Sequence, residues 1–264
     1  ASGTVGAIMC AAMSVDMLQD VAVQAQEAGI VVVYLGAEPT AYQISSCVYT
    51  AYEITGMWAI DMAEAWAKQN SNVKKDDKGV PIAIDTYDDI VDGRYRSNAF
   101  RDEAEASDIL YVYNESTSYG NDAQNTAYNW AENMMTANPD LRIFICYEPD
   151  AMKGVTSYLA QYAKDNKLDL ADFCVINCYE DSETPALLEQ AKNDPSSTAF
   201  KGYVTYGASP IDTGKKLAEE FLGIVDGSWP YGQSYYDEIN AYSSFGFSQH
   251  WEMGQENPAL KYKY

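Results

Sequence analysis

Apolar residues along this chain fall into short continuous runs separated by longer stretches with helical spacing. Ile30–Leu35 (IVVVYL) and Ile143–Tyr147 (IFICY) are unbroken and rich in β-branched or aromatic residues, the pattern of strands enclosed on both faces. Similar runs at Gly3–Met9, Ile44–Tyr49, Val80–Asp85, Ile109–Tyr113, Phe173–Ile176 and Lys201–Tyr206 predict further strands. Between them, helical periodicity predicts a helix capped by Ser14 with Leu18, Val21, Ala22, Ala25 and Ala28 on one face and Gly29 at its end. Another covers Ile54–Trp66, and one surrounds Ala99, Phe100 and Ala104. Asn121-Asp122-Ala123-Gln124 has the form of a capping box for a helix with Ala123, Ala127, Trp130, Ala131 and Met134 inside. Later helices run from Glu183 to Lys192 and from a cap at Ser209, the last with Leu217, Ala218, Phe221, Leu222 and Val225 inward. Strand and helix alternate throughout, so the fold class is α/β with parallel sheets.

The turn at Glu148–Gly154 (EPDAMKG) is the sharpest of these transitions. A buried strand ends in a carboxylate and becomes a helix at once, with Pro149 at the first helical position and Glu148 placed to cap it. Ligands of parallel α/β sheets bind where strands end and helices begin, which is where Tyr147 and Glu148 stand.

Charge narrows the function. A net charge of −22 and a pI near 4.2 argue against nucleic acid and anionic membrane surfaces as partners. No apolar run is long enough to span a bilayer, and no signal peptide is visible. Cys10, Cys47, Cys146, Cys174 and Cys178 lie mostly in apolar runs. On one strand, Cys174 and Cys178 would be about 13 Å apart, too far for a bridge, so they are expected as small buried hydrophobes. His250 has no cysteine pattern beside it, so no metal site and no cofactor is expected. Asp76-Asp77-Lys78-Gly79 lacks the rest of a calcium loop and is expected as a solvated turn. No phosphate loop, zinc motif or nucleophile elbow is present, so the chain is not expected to be an enzyme, although paired acids of a hydrolase would leave no local signature. Tyrosine is abundant, at 22 residues against seven phenylalanines, and suits polar clefts and wet interfaces.

Five segments, in unbroken order over about residues 3–225, resemble type I periplasmic sugar-binding proteins of ABC importers, the ribose- and galactose-binding group. QAQEAGIVVVYLGAEPT is similar to their helix, strand and polar loop, and YEITGMWAIDMAEAWAK to the helix after their first crossover. GRYRSNAFRDEA resembles their arginine-bearing helix start, and NWAENMMTANPDLRIFICYEPDAMKGV their helix, A-x-P-D turn, strand and N-D-x-M-A-x-G element. TYGASPIDTGKKLAEEFLGI is similar to the segment after their second crossover.

The resemblance implies two hinged lobes that close on a solute, with crossings near Tyr49 and Tyr206. Residues 1–48 with 207–233 would form the N-terminal lobe, and 49–206 with 234–264 the C-terminal lobe carrying an aromatic-rich tail. The family begins with two more βα units, so the N-terminal lobe is expected to be incomplete unless a separate N-terminal fragment supplies them. Arg94 maps to the family's ligand-binding arginine, and Tyr119 lies in the loop where relatives carry a stacking aromatic. Glu148 replaces the family's asparagine, and Tyr179 its turn aspartate. With Glu38, Tyr49, Tyr147 and Tyr206 at strand ends, these are the candidate ligand-binding residues. The implied function is capture of a small polar ligand, a sugar or sugar derivative, for an ABC permease. The two carboxylates point further, to an amino sugar or a nucleoside. The implied location is extracytoplasmic, in a periplasm or on a cell-surface lipoprotein. The rival readings are a ligand-responsive sensor domain of the same fold and a protein that assembles with a partner chain. The tail aromatics, Trp229 to Trp251, are expected to pack rather than bind.

Overall fold

The computed structural model describes residues 5–11, 15–36, 38–39, 41–207 and 210–261. Two sheets divide the chain. The first is wholly parallel, with strand order β1 (Ala7–Ala11), β2 (Val31–Gly36), β3 (Ser46–Tyr49) and β9 (Tyr235–Tyr236). The second is a seven-stranded sheet. Its parallel part runs β8 (Phe200–Tyr206), β7 (Cys174–Asn177), β6 (Ile143–Cys146), β4 (Val80–Asp85), β5 (Leu110–Ser116). At its other edge β10 (Ile239–Ser243) and β11 (Ser248–Trp251) join antiparallel. The tail therefore supplies two regular strands although it is rich in Gly and Ser. Its Trp251, Phe245 and Phe247 pack into the second sheet's core, as expected.

Alternation along the strands explains why the second sheet reads as continuously apolar. Ile82 and Ile84, Ile143 and Ile145, and Cys174 and Ile176 all enter one core with α2 (Tyr52–Gln69) and α3 (Val91–Ala106). Ala83, Phe144, Cys146 and Val175 enter the opposite core with α4 (Ala123–Ala137), α5 (Pro149–Asn166) and α6 (Thr184–Asn193). Each enclosed Ile or Phe contributes about 1.5–3 kcal/mol, and with a helical layer on both faces no polar alternation is needed.

Several local expectations change. Ser14 and Ser209 lie outside the described residues. The first helix begins as a 3-10 turn, Asp16–Leu18, before α1 (Gln19–Glu27), and it buries Ala22 and Ala25 but leaves Val21 exposed. In α7 (Pro210–Asp226), Leu222 and Val225 face outward while Glu220 is buried. The capping box does not form: Asp122 makes no side-chain cap and instead accepts from Asn125 Nδ2 at 2.8 Å. Glu148 occupies the N-cap position of α5 but likewise makes no side-chain cap bond.

Three chain segments pass between the sheets: Thr50–Ala51 after β3, Gly207 after β8, and Asp237–Glu238 between β9 and β10. They are tied together, with the Asp237 amide donating to the Tyr49 carbonyl at 3.0 Å and the Gly207 amide to the Glu238 carbonyl at 2.7 Å. The first two lie beside Tyr49 and Tyr206. The third lies beyond Tyr235–Tyr236, which pair in the first sheet rather than in the unit beginning at residue 234.

Candidate functional site

The carboxyl ends of the second sheet's strands converge on one region. β4 ends at Asp85, which is fully buried, with Oδ1 accepting the Ser118 amide at 2.7 Å and Oδ2 the Tyr147 amide at 3.2 Å. Across from it α3 presents Arg96, also buried. Its Nε donates to Thr55 Oγ1 at 3.0 Å and its NH1 to the Tyr147 carbonyl at 2.9 Å. The guanidinium lies 4.4 Å from the Tyr147 ring centroid and 5.3 Å from that of Tyr52, distances at which cation–π attraction acts. Thr55 and Tyr52 come from the first turn of α2. The helices meet this closely because Gly56 has no side chain: a Cβ there would stand 2.5 Å from the Arg96 carbonyl oxygen.

Tyrosines extend this centre in both directions. Tyr87 and Tyr119, from the loops after β4 and β5, stack at 4.0 Å, and Tyr147 stands nearly perpendicular to both at 5.9 and 6.0 Å. On the other side Tyr52 meets Tyr206 edge-on at 5.5 Å, and Tyr206 meets Tyr179 at 5.2 Å. Tyr52, Tyr179 and Tyr206 then line a cavity of about 280 Å³ whose remaining wall includes Leu35 of β2, Thr50 of the first crossing, Asp237 of the third and the early turns of α7. Apolar ring faces and hydroxyl or carboxyl groups thus share one space, which is what a polyhydroxylated ring requires.

Burial governs the acids. It pushes Asp85 up to about 7, against the two amide hydrogen bonds that favour its ionised form. Glu148, half-buried, is raised to about 7 by desolvation and by Asp150, with Arg96 opposing. Asp237 is raised to about 6 by burial, with Thr50 opposing. Among the described residues no group of three His, Cys, Asp or Glu side chains is placed to hold a metal ion, and no helix is long and apolar enough to cross a membrane.

The eight residues singled out from the sequence have different fates. Tyr147, Tyr179, Tyr206, Tyr119 and Glu148 belong to the region just described. Tyr49 does not line the cavity; its hydroxyl donates to Glu53 Oε2 at 3.1 Å and its ring packs on Tyr236. Glu38 accepts from Ser234 Oγ in a separate hollow beside Pro39 and Gln43. Arg94 is exposed, with Nε donating to the Asp88 carbonyl at 3.2 Å; the arginine in the cleft is Arg96. A signal for Arg96 existed, because Gly93, Arg96, Ser97, Phe100 and Ala104 recur at helical spacing and all are buried, whereas Arg94 falls off that face. Asp85, Tyr87, Tyr52 and Asp237 were also missed, and nothing local marks them.

Residues 1–220 match the model of the family described as "Periplasmic binding protein domain". No curated protein matches the chain. Among solved structures, a glucose-galactose binding protein from Geobacillus stearothermophilus has a TM-score of 0.70 at 15% identity, covering 93% of this chain and 79% of that one. A carbohydrate transporter solute binding protein from Agrobacterium radiobacter, in complex with D-arabinose, has a TM-score of 0.68 at 19% identity, covering 92% and 75%. A Caulobacter myo-inositol binding protein bound to myo-inositol has a TM-score of 0.65 at 17% identity, covering 91% and 75%. At these identities the likeness is one of fold.

Proposed function

The chain belongs to the periplasmic binding protein family, and on that premise we propose that it captures a small sugar or sugar derivative between its two lobes for an ABC importer. The carrying observation is the cavity at the crossings, where Tyr52, Tyr179 and Tyr206 of one lobe face Leu35 and α7 of the other, with Asp237 and Thr50 between them. A volume of about 280 Å³ suits one sugar ring, and binding there touches both lobes, so a solute would favour the closed arrangement. The saccharide and inositol complexes of the fold relatives support the same class of ligand. An extracytoplasmic location follows from the family.

Within that class, Glu148 favours a solute carrying an amino group. Its carboxyl is half-buried at the edge of the tyrosine cluster and is an acceptor on both oxygens only when ionised, the form that a cationic partner would stabilise. Isothermal titration calorimetry with D-arabinose, D-galactose, myo-inositol and D-glucosamine tests both levels. Binding of at least one, with an upward shift of the melting temperature, is expected; a solute at 100 times its Kd stabilises by about 2.7 kcal/mol. Tyr179→Ala, which removes a ring from the cavity wall, should weaken binding about tenfold while costing less than about 1.5 kcal/mol of stability. Silence across the whole series would overturn the sugar reading. An unchanged affinity for D-glucosamine in Glu148→Gln would overturn the amine preference alone.

A further inference from the structure

Asp85 is a fully buried carboxylate whose two oxygens serve two different loops. Oδ1 accepts the amide of Ser118, the residue before Tyr119, and Oδ2 accepts the amide of Tyr147. The partners lie 33 and 62 residues away, at the ends of β5 and β6, which flank β4 in the sheet. Tyr147 in turn carries Arg96 on its ring and carbonyl, and Tyr87 and Tyr119 beside it. One carboxylate therefore joins both halves of the tyrosine wall, through backbone groups rather than side chains.

We propose that Asp85 is the positioning residue of the cleft, its ionised carboxylate locking the Ser118–Tyr119 loop to Tyr147 so that the wall is set before a solute arrives. The inference rests on the cleft reading above for its functional consequence, but its geometry stands without it. A carboxylate can accept both amides at once; a protonated carboxyl must spend one oxygen as a donor, and no acceptor faces it from these two amides. Of the groups around it, the Glu148 carboxyl on β6–α5 disfavours its charge and the two amides favour it, while the Cys146 and Cys178 thiols are held protonated by burial and by its charge. Burial raises it to about 7, so the lock would loosen as pH falls through neutrality.

The test follows the Ser118 and Tyr147 amide resonances of the whole protein from pH 5 to 9, in wild type, Asp85→Asn and Glu148→Gln. Both amides are expected to move upfield on acidification with one shared midpoint near 7 in wild type and Glu148→Gln, and to lose that transition in Asp85→Asn. Affinity for D-arabinose should fall about tenfold over the same range in wild type and stay flat and weak in Asp85→Asn. Separate midpoints, a transition that survives in Asp85→Asn, or one that vanishes in Glu148→Gln would each overturn the proposal. Should the amides behave as expected while D-arabinose fails to bind, the sugar reading falls and the positioning role stands. Should Asp85→Asn not fold, the wild-type and Glu148→Gln titrations decide alone.

Discussion

Arg96 lies over the ring of Tyr147, 4.4 Å from its centroid, while donating a hydrogen bond to the carbonyl oxygen of the same residue at 2.9 Å. The two contacts fix the guanidinium both laterally and in height. They also hold the turn from β6 into α5, because that carbonyl belongs to the residue before Glu148. A buried guanidinium needs partners for its donors, and here Thr55 and Tyr147 take two of the five with neutral oxygens while the Tyr147 and Tyr52 rings lie against its face.

Replacing this arginine should therefore be costly. Arg96→Ala is expected to lower stability by about 3 kcal/mol, since it removes two hydrogen bonds and two aromatic contacts and leaves a void. Arg94→Ala should change stability by less than about 0.5 kcal/mol, because Arg94 is solvent-exposed. Urea denaturation of the pair checks this, and equal losses would show that Arg96 has been given the wrong weight.

Gly56 supports the same centre from beneath. In Gly56→Ala the new methyl would lie 2.5 Å from the Arg96 carbonyl oxygen and 2.8 Å from Ala99 Cβ, so α2 and α3 must separate. Alanine gains about 1 kcal/mol in helix propensity, yet overpacking of about 1–3 kcal/mol is expected to outweigh it. Calorimetry should show a lower melting temperature, accompanied by a change in near-ultraviolet tyrosine dichroism as Arg96 shifts against its rings.

The cysteines offer a test of burial. Cys47, Cys146, Cys174 and Cys178 are buried, Cys10 is half-buried, and none of the five is in a disulfide among the described residues. Desolvation pushes the Cys178 thiol up to about 12, and raises Cys146 and Cys174 as well. Thiolate is the reactive form, so a thiol reagent at pH 8 should label Cys10 first and leave the other four untouched until denaturant is added. Rapid labelling of Cys178 in the native protein would contradict the packing described.

Stability should also depend on pH in a direction set by two buried acids near the crossings. Burial raises Glu220 to about 7 and Asp237 to about 6, with hydrogen bonds from Ser46 and Thr50 opposing. Their folded values exceed their unfolded ones, so the native state keeps protons that the unfolded chain has released. Their contribution is greatest near pH 4 and declines as pH rises through about 7. Glu220→Gln is expected to flatten this decline by about 1–3 kcal/mol, read as the difference in urea midpoints between pH 5 and pH 8. A wild-type curve that rises across this interval, with no effect of the substitution, would overturn the assignment.

How far the sequence could be read depended on the range of each interaction. The strands were legible because Ile82 and Ile84 enter one core while Ala83 enters the other, so an unbroken apolar run was the only pattern that could satisfy both faces. The helix from Pro149 was legible because proline at the first turn acts within a few residues. The tail was harder. Its strand β10 gains regularity only by pairing with β8, whose hydrogen-bonding edge is supplied from far along the chain.

The sequence by itself therefore determined the α/β class, the burial of Cys174 and Cys178 and the place where Tyr147 and Glu148 stand, because period, turn chemistry and apolar content are local properties. Membership in the family was also written there, in the order of several segments. The tertiary structure alone decided which tyrosines line the cleft, since an amphipathic ring leaves the same trace whether it faces a core, like Tyr49, or a cavity, like Tyr206. It alone brought Thr50 to Asp237, 187 residues on, and Asp85 to Ser118 and Tyr147. A hydrogen bond between distant residues requires only that two ends of chain meet, and neither end carries a mark of the other until the sheets have formed.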